Sequence, residues 1–202
     1  MGTKRVRRAV LVVAVLNVVY FGVEFVAASV IGSAALFADS ADFLEDTAIN
    51  LLVFFAVAMA AERRRVMGRV LAVCILIPAA ASLITVAYKV AQPEPPSPEG
   101  LTATAVGALV VNLVCAVIVH RIREAETSLA TGAWLAARND ALANIFIIAA
   151  GVATRAWPTA WFDVAAGLII ALLNLSAFRE VWQEAREEHA SVEEAFAVMD
   201  SD

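Results

Sequence analysis

Cysteine and histidine are almost absent, with two of each in 202 residues. Cys74 and Cys115 both lie inside apolar runs, where a small hydrophobe packed between helices fits better than a disulfide or a metal pair. No redox compartment follows from them. His120 stands beside Arg121 where an apolar run ends and reads as an interfacial side chain; His189 reads as a solvated one. Charge is also scarce, at 17% of residues, and a formal net charge of −5 offers no basic surface for nucleic acid. A lipid anchor is not indicated either, because Val6 occupies the position where an N-myristoylation signal requires Ser or Thr.

Apolar residues are what the chain has in excess. They make up 61% of it, and the mean hydropathy is +0.78, well above a soluble domain. The expectation is an integral membrane protein. The start "MGTKRVRRAVLVVAVLNVVYFGVEFVAASV" has the basic flank of a signal peptide, yet its apolar stretch exceeds the usual core of about 7–15 residues, so it reads as a retained first span.

A helix needs about 20 apolar residues to cross the hydrocarbon core. The chain divides into six such segments, at 9–31, 33–61, 66–91, 101–120, 130–154 and 159–180. Breaks fall at "IGS", "ERRR", "QPEPPSPEG", "HRIREAETS" and "RAWPTAW". The fold class expected is all-α, with six transmembrane helices forming one transporter domain over residues 1–182 and a short acidic tail over 183–202. Under this alternation Lys4, Arg5, Arg7, Arg8, Arg63, Arg64, Arg65, Arg69, Arg121, Arg123, Arg179 and Arg186 share one side, leaving Lys89 and Arg155 opposite. The positive-inside rule then places both termini in the cytoplasm. Trp157 and Trp161 flank the turn before the last span as interfacial anchors would. A bacterial inner membrane is the expected location.

The second span contains "FADSADFLEDTAIN", with Asp39, Asp42, Glu45 and Asp46 inside an apolar run. An ionised group at mid-membrane costs about 2.5–3.5 kcal/mol on the insertion scale, so these side chains cannot face lipid as bare charges. Asp39, Asp42, Asp46 and Asn50 follow one another at spacings of three, four and four, which stacks them on one helix face. The fifth span repeats the theme in "LAARNDALANIF", where Asp140 and Asn144 are again one turn apart. If the two faces meet, three carboxylates and an amide form an oxygen-rich cation site; the plain alternative is a polar packing seam between helices. Glu24 in the first span could hold a proton or cation, or pair with Arg138. Asp163 could serve the site or act as a charge at a helix N-terminus. Asn17, Asn112 and Asn174 read as interhelical hydrogen-bonding residues.

These residues resemble the cation diffusion facilitator family. "GSAALFADSADFLEDTAINLLV" is similar to its second span, whose metal positions fall on Asp42 and Asp46; "WLAARNDALANIFIIAAGV" is similar to its fifth, whose metal-binding aspartate falls on Asp140. "LNVVYFGVEFVAASVIGS" and "WFDVAAGLIIALL" also look like the family, so the resemblance spans the membrane domain. It implies six spans with both ends cytoplasmic, a metal site between the second and fifth, and a homodimer. Two departures stand out. The ligand expected four residues before Asp140 falls on Ala136, leaving Asn144 or Asn139 to supply an oxygen; Asn144 shares the face of Asp140, whereas Asn139 points about 100° away. In place of the family's cytoplasmic metal-binding domain, a tail of about twenty residues follows the last span.

The resemblance and the stripe together imply efflux of a divalent cation in exchange for protons. Clustered carboxylates in a low-dielectric site bind protons and metal in competition, and alternating exposure of such a site gives antiport. The transported ion would be zinc, with manganese or cobalt competing more evenly than at a histidine-containing site. No tightly bound cofactor is expected; the partners are the metal ion, protons and the lipid bilayer. Competing readings are a proton-coupled exporter of organic or monovalent cations and a non-transporting assembly module whose polar seam only pairs helices. An enzyme is not expected, since an intramembrane aspartyl hydrolase would need an opening for a polypeptide and nothing in the chain indicates one.

Overall fold

The computed structural model describes residues 3–55, 61–123 and 127–172, and these form helices joined by short connections, with no strand among them. They are α1 (Thr3–Ile31), α2 (Ala34–Phe55), α3 (Ala61–Ala91), α4 (Pro98–Arg123) and α5 (Thr127–Ala156), followed by α6 (Trp161–Leu172). The expected all-α architecture is present, with shifted ends. Residues 62–65, "ERRR", expected as a turn, belong to the first turns of α3, and α4 continues past His120 to Arg123. Charged residues of high helix propensity extend the helices beyond their apolar stretches, so hydropathy underestimates helix length. The expected tail at 183–202 lies outside the described residues.

The outer surface is aliphatic, unlike that of a soluble protein, and several polar groups are buried within. Val15, Val18, Val19, Val26 and Val30 on α1 are exposed, while Asn17 and Glu24 on the same helix are fully buried. The same holds for α5, where Ile145 and Phe146 face outward and Asn144 is fully buried. A surface of aliphatic side chains around an interior that holds acids and amides is stable in lipid and not in water. Two segments, Arg7–Ile31 and Pro98–Arg121, are by themselves long and apolar enough to cross a membrane. Trp157 and Trp161 are exposed at one end, as the anchoring role requires.

The turn between α1 and α2 shows how the sequence sets the packing. Gly32 has φ of +64°, the left-handed conformation that a Cβ would strain. With Gly32 in place, the Ser33 amide reaches back to the Ala28 carbonyl at 3.0 Å, which closes α1 by the Schellman pattern. Ser33 then opens α2, its Oγ accepting from the Leu36 amide at 3.1 Å. Two adjacent residues thus stop one helix and start the next. At the opening of α4, Ser97 accepts from the Gly100 amide at 3.2 Å, and Pro98 takes the first helical position, where a missing N–H costs nothing.

Helix α2 occupies the centre. It packs on α1 and α3 and touches α5, and every residue from Ser33 to Ala41 is buried. A shared core joins Leu36 and Phe37 of α2 to Leu101 of α4, Ile147 of α5 and Ile170 of α6. Gly167 lets α6 lie directly against the start of α2, because a Cβ there would come within 2.9 Å of the Ala34 backbone. The acidic stripe is therefore carried by the helix with the most protein around it.

Candidate cation site

The α2 stripe enters the protein interior as its spacing predicts. Asp39 is buried, and Asp42, Glu45 and Asp46 are half-buried. From α5, Asp140 is half-buried and Asn144 fully buried. The charges of Asp42, Asp46 and Asp140 act on one another across the α2–α5 contact, with Glu45 and Asp39 within the same field. Among the described residues, however, no three carboxyl, imidazole or thiol groups close on one another as a finished metal cage. The acids form an open cluster.

The amides around this cluster are oriented. Asn144 donates its Nδ2 to the Asp140 carbonyl at 2.9 Å, and its buried Oδ1 has no hydrogen-bond partner among the described residues. Such an oxygen normally meets a donor or a cation. Asn50 likewise donates to the Asp46 carbonyl at 2.8 Å. From α1, Asn17 Nδ2 lies 3.4 Å from Asp46 Oδ2, and Cys115 Sγ of α4 lies 3.7 Å from Asn17 Oδ1. Sequence reasoning gave Asn17 only a packing role and Cys115 only an apolar one. Both adjoin the acids, and the missed signal was the depth of Asn17, which matches that of Asp46 on the antiparallel neighbouring helix.

Glu24 meets Asp39. The two lie at matching depth on the packed antiparallel helices α1 and α2, eight residues before and seven after Gly32, and their carboxyl groups interact across the seam. The expected partner, Arg138, belongs to α5, whereas α1 packs mainly on α2 and α4; the side chains of Ala136, Arg138 and Asn139 lie outside the described residues.

Asp163 belongs to a different structure from the acid cluster. Its Oδ1 accepts from Ser33 Oγ at 2.6 Å and from the Ala35 amide at 3.2 Å. Its Oδ2 accepts from the Ala34 amide at 2.9 Å and from Lys89 Nζ at 2.7 Å. With four donors on two oxygens, and no exposure, this carboxylate is fully committed. The helix N-terminus it caps is that of α2 rather than its own. One buried residue thereby ties α6, the end of α3 and the α1–α2 turn together. The other basic residue at that end, Arg155, pairs with Glu99 at 3.0 Å in an exposed ion pair.

Apolar outer surfaces of membrane-spanning length around a buried set of acids and amides define a membrane protein that handles cations. The family model described as the cation efflux transmembrane domain matches residues 10–187, and the chain belongs to that family, the cation diffusion facilitators. It is accordingly an integral membrane protein of a cation-transporting family. No curated protein matches the sequence.

Proposed function

We propose that this protein exports a divalent metal ion, zinc first and manganese or cobalt next, in exchange for protons, through a site formed by Asp42 and Asp46 of α2 and Asp140 and Asn144 of α5. The reading is supported most by Asn144 Oδ1, a fully buried amide oxygen with no donor among the described residues, one turn from an aspartate whose charge is felt by Asp42 and Asp46. Three carboxylates and one amide oxygen are hard ligands suited to a divalent cation. The open spacing of the acids suits a cargo site, which must release its ion. Asn139 remains the alternative source of the fourth oxygen. Loading the metal expels protons and reprotonation expels the metal, so exposure of the site to either side in turn couples the two flows.

In this reading the chain crosses the membrane six times with both termini cytoplasmic, as a homodimer in a bacterial inner membrane. Support for the orientation comes from the two cations on the opposite side. Lys89 and Arg155 are each matched by an acid, Asp163 and Glu99, so that end carries little excess positive charge. The test is metal-binding calorimetry on the purified protein with zinc, manganese, cobalt and magnesium, repeated with Asp46→Asn and Asn144→Leu. Loss of binding in Asp46→Asn and weakening in Asn144→Leu is the expected result; unchanged binding in both would remove the site.

A further inference from the structure

Glu24 and Asp39 are the most completely enclosed acids in the described residues apart from Asp163, at 0% and 1% exposure. Unlike Asp163, they have no cation among the described residues. None of their four carboxyl oxygens has a hydrogen-bond donor among the described residues, yet the two lie at matching depth on the packed antiparallel helices α1 and α2, eight residues before and seven after Gly32, and interact through their carboxyl groups. Two carboxylates offer acceptors only, so no hydrogen bond joins them unless one carries a proton. Leaving both ionised would place two like charges side by side in a dry interior, which costs several kcal/mol for each.

The surrounding groups do not relieve this. The Tyr20 hydroxyl, close enough to feel both acids, donates to the Thr104 carbonyl at 2.6 Å. Ser33 is spent on Asp163, Ser40 on the Phe37 carbonyl and Ser82 on the Ala34 carbonyl. Lys89 is held by Asp163, and Arg155 by Glu99. The other charged groups in electrostatic reach among the described residues are acids, Asp42 for Glu24 and Asp39, and Asp140 for Asp39. A metal ion is a poor occupant, since zinc takes four ligand groups and this pair supplies two carboxylates, with no amide or uncommitted hydroxyl beside them among the described residues. A proton needs only two oxygens, and an O–H···O⁻ bond is among the strongest hydrogen bonds a protein makes.

We propose that Glu24 and Asp39 form a proton-sharing carboxyl pair, a proton site separate from the metal ligands and linked to them by charge. In its resting form one proton bridges the two carboxyls. When a divalent cation loads among Asp42, Asp46 and Asp140, its field acts on Asp39 one turn away, and the O–H bond of the pair breaks with the proton passing to water. When the metal leaves, a proton from water restores the bridge. Linkage requires the reciprocal effect, so protonation of the pair weakens metal binding by the same factor. This coupling rests on the metal-site reading above; the shared proton does not.

Infrared spectroscopy of the full-length protein in lipid tests the two parts separately. The metal-free protein shows carbonyl absorption from protonated carboxylic acids, shifted in D₂O, and one component of it is lost in both Glu24→Gln and Asp39→Asn while persisting in Asp46→Asn. Persistence of every component in both pair variants, or absence of protonated-acid absorption from the unaltered protein, overturns the shared proton. Calorimetry in buffers of different ionisation enthalpy counts protons released per zinc bound. Glu24→Gln retains one zinc site with the number released lower by about one. An unchanged proton count overturns the coupling, and loss of a zinc equivalent shows that the pair binds metal instead. If Asp46→Asn keeps full zinc affinity while the band behaves as described, the metal-site reading fails and the proton pair stands.

Discussion

Lys89→Met removes the ammonium 2.7 Å from Asp163 Oδ2 and leaves a side chain of similar reach, so it isolates the charge from the packing. At that separation two unit charges attract by about 6 kcal/mol at an effective dielectric of about 20. Desolvation of both groups offsets part of this in the intact protein. In the variant the carboxylate stays buried with the Ser33 hydroxyl and the Ala34 and Ala35 amides as donors, none of which carries a full charge. Breaking a buried pair by removing one partner costs about 3–5 kcal/mol. The three remaining donors place this case near the lower end of that range. Asp163→Asn loses the same ion pair and weakens the cap on α2. In Lys89→Met/Asp163→Asn neither charge is stranded, so the double variant loses less than the two single losses together, by at least about 1 kcal/mol. Thermal unfolding of the purified proteins in detergent, followed by tryptophan fluorescence, reads all four corners of the cycle. A Lys89→Met protein that melts with the parent, or single losses that simply add, would refute the clamp.

Gly167→Ala should destabilise by about 1–3 kcal/mol in the same unfolding assay, because its Cβ would meet the Ala34 and Ala35 backbone at 2.9 and 3.0 Å. Gly22→Ala is the control: open space surrounds its Cβ, and helix propensity alone makes it neutral or stabilising. Ala136→His supplies an imidazole one turn before Asp140 on α5. It should tighten zinc more than manganese, since imidazole favours zinc, and competition calorimetry between the two metals checks the order.

The helices were legible because each apolar run is of membrane length, and the stripe because three- and four-residue spacings survive as one helix face. The capped turn at Gly32 and Ser33 could also be read, as it is local chemistry. What stayed hidden depends on how helices are rotated against each other. Lys89, Asp163 and Ser33 lie far apart in the chain, and no periodicity links them. Glu24 has an acid for a neighbour because α1 turns that face to α2, and no spacing in the sequence announces the meeting. Asn17 escaped for the same reason. An asparagine facing another helix looks identical in sequence whether it meets a carbonyl or a carboxylate. The start of α3 was misjudged because "ERRR" is polar enough to mark an exit from lipid and still helical.

The central claim is exchange of metal for protons at the α2–α5 aspartates. The most direct measurement is zinc flux in proteoliposomes carrying a metal-sensitive dye inside and an imposed pH gradient, with Asp46→Ala reconstituted in parallel. The account predicts zinc movement that reverses when the gradient is reversed and disappears in Asp46→Ala. Zinc flux indifferent to the gradient, and undiminished in Asp46→Ala, would contradict it.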